Sequence, residues 1–231
     1  YKPTQICVAN GAKQNIFNVL AALVNEGDEV ILPAPYWVSY DEMVKINGGV
    51  SVFIETNIDT EFKMTAEQLE AAITPKTKAV LYSSPCNPSG SYYTREELEK
   101  IANVMAKYPD VVIISDEIYE FINYDGEHVS IAEFPQVFNQ TAVINGMSKA
   151  FAMTGWRIGY SACPQWLADA CDKLQGQVTS GANTVAQRAS IVGLETDPKD
   201  YYYMVESFEK RRNLVYELLK EVPGFKVNLP K

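Results

Sequence analysis

The chain is poor in the residue patterns that mark several common kinds of functional site. It contains one histidine, His128, so no metal site built from several histidines can form within these 231 residues. Its four cysteines stand at distant, irregular positions and form neither a CxxC pair nor a dense disulfide framework. We therefore expect reduced thiols and a cytoplasmic setting. These cysteines are Cys7, Cys86, Cys163 and Cys171.

Positive charge is also scarce. The chain has 20 lysines and arginines against 29 aspartates and glutamates, a formal net charge of −9, which argues against a nucleic-acid-binding surface. No apolar run approaches the ~20 residues of a membrane-spanning helix, and the start has no signal-peptide pattern. The nucleotide-binding patterns GxxxxGK[ST] and GxGxxG are absent after the predicted strands. Hydrophobic residues make up 47% of the chain, enough for the core of one large domain.

Apolar runs of strand length alternate with helical patterns along the chain. Several of these runs are almost continuously apolar, which is typical of strands covered by helices on both faces. The pattern predicts an α/β fold with a layered core and a mostly parallel sheet. The predicted strands are Gln5–Ala9, Glu29–Pro33, Val50–Glu55, Ala79–Ser83, Val111–Ser115, Ala142–Asn145 and Arg157–Ser161.

Helix ends and connections have their own signals. Thr65 with Gln68, and Thr94 with Glu97, are spaced as capping boxes at helix starts. The segment Asp200–Glu221 is a long, charge-rich helical pattern that ends at a Pro-Gly pair. Two polar or proline-containing stretches are predicted to be connections within the domain, Asn123–Glu127 and Phe134–Gln140.

The run from Gly146 to Gly159 carries the strongest chemical signal. Lys149 stands among small and apolar residues, where an amine loses part of its preference for the charged form and can attack a carbonyl. Arg157 follows and offers a rigid fork of donors for a phosphate. Together they indicate a phosphorylated carbonyl cofactor held as an imine, which pyridoxal 5'-phosphate fits. The alternative is an exposed, inert lysine with a structural arginine.

Asp116 and Tyr119 follow the predicted strand Val111–Ser115, and ligands of open α/β sheets gather at the carboxyl ends of strands. An aspartate there can pair with a protonated pyridine nitrogen and keep the ring electron-poor. Tyr119, predicted one helical turn further on, can hydrogen-bond the phenolic oxygen of the cofactor. The alternative is that Asp116 and Glu117 cap or solvate the start of a helix.

Two further strand ends carry candidate residues. Asn87 lies in a stiff, proline-rich turn, from which its amide can donate to a cofactor and to a substrate carboxylate. Trp37 follows the strand Glu29–Pro33 and can stack on a pyridine ring. An ordinary turn asparagine and a core tryptophan are the alternatives.

The turn Asn10–Lys13 stands between the first strand and an amphipathic helix. Small residues such as Ala12 at a helix N-terminus expose backbone amides, which favours phosphate binding. By itself this signal is weak, because Lys13 also fits a solvated surface lysine.

In this chain order the motifs resemble the large domain of the class I and II aminotransferases of fold type I, and most of all the bacterial aspartate aminotransferases. The resemblance covers essentially the whole chain. It implies a three-layer α/β/α fold around a mostly parallel mixed sheet. It further implies that residues 1–197 form the pyridoxal-phosphate-binding large domain. Residues 198–231 would be a long helix leading to a mostly absent C-terminal small domain.

The resemblance also implies roles for single residues. Lys149 would hold pyridoxal phosphate as a covalent imine and act as the catalytic base, while Asp116 pairs with the ring nitrogen. Tyr119 and Asn87 would contact the ring oxygen, and Trp37 would stack on the ring. The implied phosphate contacts are the amides of Ala12 and Lys13 and the guanidinium of Arg157. The implied substrate contacts are Lys13, Trp37 and Asn87, with Lys13 recognising the distal carboxylate of an acidic amino acid.

The implied function is transamination between an amino acid, such as aspartate, and a 2-oxo acid such as 2-oxoglutarate, in a homodimer. Gly146 departs from the family, where many members carry a phosphate-binding serine. The residues that bind the substrate α-carboxylate and close the site would lie outside this chain. We therefore expect the 231 residues of this chain to be inactive on their own. Three alternatives remain: a carbon–sulfur lyase on the same scaffold, an effector-sensing domain of a transcription regulator, and a remnant that binds no cofactor.

Overall fold

The computed structural model describes residues 1–124, 126 and 128–231. Two positions of the predicted connection 123–127, positions 125 and 127, therefore lie outside the described residues. All seven predicted strands are confirmed, and their ends differ from the prediction by at most two residues. The strands are β1 (Ile6–Ala9), β2 (Glu29–Ala34), β3 (Val50–Glu55), β4 (Thr77–Ser83), β5 (Val112–Asp116), β6 (Thr141–Gly146) and β7 (Gly159–Ala162).

The strands form one mixed sheet in the order β1-β7-β6-β5-β4-β2-β3. The pairs β2–β3, β2–β4, β4–β5 and β5–β6 are parallel. Only β7 runs against its neighbours, since it pairs antiparallel with both β6 and β1. The sheet is therefore mostly parallel, as predicted, and the start of β7 lies at the same edge as the carboxyl ends of the other strands.

Helices cover both faces of the sheet. Alternate strand residues point to opposite faces, so Val30 and Leu32 of β2 pack in one buried cluster and Ile31 packs in another. Helices α1, α2 and α5 contribute to the first cluster, and α3 and α4 to the second. The result is the expected three-layer α/β/α arrangement. The helices are α1 (Ala12–Leu23), α2 (Ser39–Ile46), α3 (Ala66–Ala72), α4 (Arg95–Met105), α5 (Gln165–Val178), α6 (Thr184–Glu195) and α7 (Tyr202–Lys220).

Both predicted capping boxes are present. Oγ1 of Thr65 accepts from the amide of Gln68 at 3.2 Å, and Oε1 of Gln68 accepts from the amide of Thr65 at 2.9 Å. Thr94 and Glu97 make the same reciprocal pair at the start of α4, at 3.3 and 2.8 Å. These bonds satisfy amide groups that the first helical turn leaves without partners, which fixes where each helix begins.

The predicted long helix is α7, and the chain after it folds back onto the turn that follows β4. The amide of Lys231 donates to the carbonyl of Gly90 at 2.8 Å, and Nδ2 of Asn228 donates to the carbonyl of Ser89 at 3.0 Å. Arg212 of α7 donates through Nη1 to the carbonyl of Pro230 at 2.8 Å. A domain boundary near residue 198 stays a prediction. None of the described helices combines the length and apolar character that crossing a bilayer requires.

One boundary corrects the sequence analysis. Arg157 was expected inside the last strand, but it lies before β7 and has a left-handed backbone with φ of 55°. Its guanidinium donates to the carbonyl of Thr154 at 2.9 Å and to that of Asn10 at 3.2 Å. These two bonds tie the residue to the turn before the strand, so pairing with β6 begins only at Gly159.

Candidate active site

The eight residues selected from the sequence all line one cavity of about 300 Å³. The cavity lies at the edge where the parallel strands end, as expected for a ligand site of an open α/β sheet. These residues come from six separate segments of the chain. They are Ala12, Lys13, Trp37, Asn87, Asp116, Tyr119, Lys149 and Arg157.

The start of α1 and Arg157 form a positively polarised edge of the cavity. The helix begins at Ala12 after Gly11, which has no side chain that could accept hydrogen bonds from the first amide groups. Those amides and the helix dipole favour an anion. The guanidinium of Arg157 lies against Gly11. Among the described residues no carboxylate forms an ion pair with Arg157, so its charge is available to a ligand in the cavity.

Asp116 is the last residue of β5, and its side chain is buried, with 4% of the residue exposed. Oδ2 accepts a hydrogen bond from the phenol of Tyr40 at 2.6 Å, and Oδ1 accepts one from the amide of Ile118 at 3.2 Å. Burial raises the pKa of Asp116 to about 6, although these two hydrogen bonds act in the opposite direction. A buried carboxylate of this kind favours a cationic ligand group beside it.

Lys149 and Tyr119 lie beside each other in the cavity, with Nζ of Lys149 5.5 Å from the centre of the tyrosine ring. Lys149 follows β6 in a turn and is partly exposed to the cavity. Tyr119 lies in a hydrogen-bonded turn, in which the amide of Glu120 donates to the carbonyl of Glu117 at 2.9 Å. The predicted helix after β5 is therefore wrong, since this turn does not continue into a helix. The alternative role of Glu117 as a solvated residue is also wrong, because Glu117 is buried.

Glu117 is not among the residues that line the cavity, and its side chain has its own partners. Oε2 lies 3.0 Å from Nε2 of His128, and Oε1 accepts hydrogen bonds from Ser115 at 2.9 Å and Ser130 at 2.7 Å. These contacts hold the chain after β5 in place next to Asp116.

Asn87 lies in a compact turn after β4. The amide of Cys86 donates to the carbonyl of Ser91, and the amide of Gly90 donates to the carbonyl of Cys86, both at 2.8 Å. These bonds close the turn around Asn87, whose side chain lines the cavity.

The four cysteines, including Cys86, carry free thiols, in agreement with the sequence analysis.

Trp37 is half-buried between β2 and α2, and two side chains contact its ring. Nζ of Lys13 lies 4.7 Å from the ring centre, and the ring of Tyr40 meets it edge-on at 5.6 Å and 89°. Lys13 is an exposed residue at the rim of the cavity, and this cation–π contact places its amine beside the ring of Trp37.

Six further residues line the cavity and were missed by the sequence analysis. Tyr40 and Ser83 adjoin Asp116, since Tyr40 is bonded to it and Ser83 is its neighbour in the β4–β5 register. Most are hydroxyl or aliphatic residues with no distinctive chemistry in the sequence. Their only signal was a position close to a strand end or a helix start. They are Ile16, Tyr40, Ser83, Ile118, Ser148 and Thr154.

The chemical groups that line the cavity match those that would bind pyridoxal phosphate. The buried carboxylate of Asp116 suits a protonated ring nitrogen, the start of α1 with Arg157 suits a phosphate, and Lys149 supplies an amine. Gly11 leaves bare backbone beside Arg157, where a Cβ atom would overlap the guanidinium. The fold and the cavity thus match an enzyme domain that uses a phosphorylated carbonyl cofactor.

Comparison with known proteins gives the family. The family model "Aminotransferase class I and II" matches residues 1–231, and the chain belongs to this family. Membership implies pyridoxal phosphate as the cofactor. The aspartate aminotransferase of Geobacillus stearothermophilus is 46% identical over 97% of the chain and 58% of the relative.

Solved structures agree with this assignment. The aspartate aminotransferase of Rhizobium meliloti superposes with a TM-score of 0.98 at 42% identity, over 100% of the chain and 58% of that protein. An aromatic aminotransferase from Pyrococcus horikoshii OT3 gives a TM-score of 0.93 at 37% identity, over 98% of the chain and 61% of that protein. The chain therefore spans about 58% of the length of the aspartate aminotransferases that it matches.

Proposed function

We propose that the whole protein is a pyridoxal-phosphate-dependent aminotransferase that transfers the amino group of aspartate, or another acidic amino acid, to a 2-oxo acid such as 2-oxoglutarate. The observation that carries this proposal is the convergence of Lys149, Asp116 and Arg157 on one cavity in a chain of the aminotransferase family. The named aspartate aminotransferases among its relatives support aspartate as the donor.

The cofactor would be held at both ends of the cavity and covalently attached to Nζ of Lys149. Arg157 and the amides of Ala12 and Lys13 would bind its phosphate, and Asp116 would pair with its ring nitrogen. Asn87 and Tyr119 would donate to the ring oxygen, and Trp37 would cover one face of the ring. When bound, pyridoxal phosphate supplies an electron sink for the negative charge that develops at the substrate α-carbon.

The side chains of this chain would then transfer the proton and bind the substrate. Released as a free amine, Nζ of Lys149 would take the proton from the substrate α-carbon and return one during the transfer. Asp116 would keep a negative charge beside the ring nitrogen throughout. Lys13 would bind the distal carboxylate of an acidic donor, with Trp37 and Asn87 also contacting the substrate. Lys13 and Trp37 contact each other in the wall of the cavity, which supports a shared role in substrate binding.

Covalent attachment is tested on the full-length protein loaded with pyridoxal phosphate. Borohydride reduction followed by peptide mass mapping should place the label on Lys149. Label on another lysine, or on none, would overturn the assignment. The Lys149→Ala variant is the control, since it should take up no label.

The reaction itself is tested with a panel of amino donors and 2-oxoglutarate as the acceptor. Transamination forms one oxo acid for each 2-oxoglutarate consumed, whereas a carbon–sulfur lyase or an effector-sensing domain consumes none. The relatives described above are named aminotransferases, which favours transamination over these alternatives. Strong activity with neutral donors and weak activity with aspartate would contradict the role given to Lys13.

We also propose a cytoplasmic homodimer. Four free thiols support the reducing compartment. Large apolar side chains exposed on α6, namely Val185, Ile191, Val192 and Leu194, support burial against a second copy. Sedimentation of the full-length protein tests the dimer, and a monomer at micromolar concentration would contradict it.

A further inference from the structure

We infer that Tyr40 is a positioning residue of this active site, whose phenol holds the carboxylate of Asp116 charged and correctly oriented towards the ring nitrogen of the cofactor. The inference rests on the proposed function, because it concerns the residue that would pair with that nitrogen. Tyr40 was not selected from the sequence, where a tyrosine in a helical pattern is indistinguishable from a core residue.

The geometry ties Tyr40 to Asp116 directly. The phenol donates to Oδ2 at 2.6 Å, while the amide of Ile118 donates to Oδ1 at 3.2 Å. Each oxygen thus has one fixed donor, which sets the plane of the carboxylate. Tyr40 is 1% exposed and Asp116 is 4% exposed, so water cannot readily replace the phenol. A hydrogen bond to a charged group is among the stronger ones in proteins.

The electrostatics show which charge the bond stabilises. Burial raises the pKa of Asp116, and the hydrogen bond from Tyr40 is the largest of the effects that lower it again. Glu117 also raises this pKa, and Lys149 lowers it. Burial and the charge of Asp116 raise the pKa of Tyr40 well above its ordinary value, so the phenol keeps its proton and acts as the donor.

The ring and the hydroxyl of Tyr40 have separate partners. The ring packs edge-on against Trp37 and belongs to the core cluster, whereas the hydroxyl bonds to Asp116. Tyr40→Phe therefore removes the donor and keeps the packing. Tyr93→Phe is a matched control, since Tyr93 is 4% exposed and its hydroxyl accepts a bond from the amide of Met64 at 3.0 Å. Tyr93 does not line the cavity formed around Lys149.

The test measures the dissociation constant of pyridoxal phosphate for the full-length protein between pH 5 and 9, with no turnover required. Tyr40→Phe should weaken binding about tenfold near neutral pH, the loss of one hydrogen bond to a charged group. The pH below which binding weakens should move upwards, because Asp116 then takes up a proton more easily. Tyr93→Phe should leave both the affinity and the pH profile unchanged.

A double-mutant cycle separates positioning from general damage to the structure. In an Asp116→Asn background, Tyr40→Phe should change the dissociation constant less than about twofold, because no carboxylate remains to be held. Tyr40→Met also removes the donor and should give the same loss in the native background. Wild-type affinity and pH profile in Tyr40→Phe, or an equal loss in the Asp116→Asn background, would overturn the inference.

The experiments distinguish a failure of the inference about Tyr40 from a failure of the proposed function. If borohydride labels Lys149 and Tyr40→Phe behaves as the wild type, the proposed function stands and the inference about Tyr40 fails. If the wild-type protein takes up no label at Lys149, the proposed function itself fails.

Discussion

Arg157 lies so close to Gly11 that a Cβ atom at position 11 would overlap Nη2 of its guanidinium. Gly11 has φ of 89° and is the N-cap of α1, so it needs both an unusual backbone conformation and an empty space beside it. The arginine uses that space to reach the carbonyl of Asn10. The turn after β1 and the turn before β7 thus form one positively polarised edge of the cavity.

Gly11→Ala should displace Arg157 and weaken the binding of pyridoxal phosphate about tenfold or more, besides lowering stability. The physical reason is steric, since the new methyl group takes the place of the guanidinium. Gly27→Ala is a matched control, because Gly27 has φ of 82° and no atom within 4 Å of a Cβ. The control should lose about 1–2 kcal/mol of stability from backbone strain alone and keep its cofactor affinity. Fluorescence titration and thermal unfolding measure the two effects, and equal affinity losses in both variants would contradict this account.

Asp116→Asn should stabilise the cofactor-free protein above neutral pH while weakening cofactor binding. The pKa of Asp116 rises from 3.8 to about 6 on folding, so the folded state holds the proton more tightly. The stability that this group contributes is therefore complete below about pH 4 and is lost as the pH rises through about 6. Two pKa units correspond to about 3 kcal/mol, an upper limit for the gain at pH 8.

Denaturant unfolding of both proteins at pH 4 and pH 8 measures this gain. The difference between variant and wild type should be larger at pH 8. A difference that is the same at both pH values would show that Asp116 does not carry a buried charge.

Lys149→Ala should lower the rate of amino-group transfer by at least about a hundredfold, since a positioned general base contributes on the order of 10²–10⁴. Single-turnover absorbance of the loaded protein mixed with aspartate measures the step. Lys173→Ala is the control, because Lys173 is an exposed lysine of α5 and should leave the rate unchanged. A Lys149→Ala protein with more than a tenth of the wild-type rate would refute the assignment.

Lys13→Met should raise the KM for aspartate about tenfold and change the KM for a neutral donor less than twofold. Methionine keeps an unbranched apolar chain against Trp37 but removes the charge that would bind the distal carboxylate. Lys76→Met, at an exposed position, is the control. Steady-state kinetics with both donors measure these KM values. Equal changes in KM for the two donors would show that Lys13 does not select the substrate.

The sequence predicted the strands well because the layers bury both faces of the sheet. Val30, Ile31 and Leu32 must all be apolar, since they alternate between two cores, and the resulting run is easy to recognise. The two threonine caps were equally clear, since the reciprocal bonds need only residues three apart. Local rules of this kind act over a few positions, and the sequence displays them directly.

The errors arose where distant contacts decide the structure. Arg157 leaves the strand because a carbonyl at position 10 captures its guanidinium, a contact between residues 147 apart. Tyr40 was missed because its partner Asp116 is 76 residues away. The turn at Tyr119 was expected to be helical, but the contacts that Glu117 makes with His128 and Ser130 hold the chain in another path. The sequence analysis selected side chains with distinctive chemistry that line the cavity, and it missed supporting neighbours such as Tyr40.

The antiparallel pairing of β7 with both β1 and β6 has a consequence for how the protein is made. β7 is the last of these seven strands in the chain, so the sheet is complete only when β7 inserts between β1 and β6. Arg157 reaches Asn10 only after this insertion. The affinity for pyridoxal phosphate should therefore appear late and abruptly, so that cofactor uptake reports a completed sheet and stabilises it by mass action.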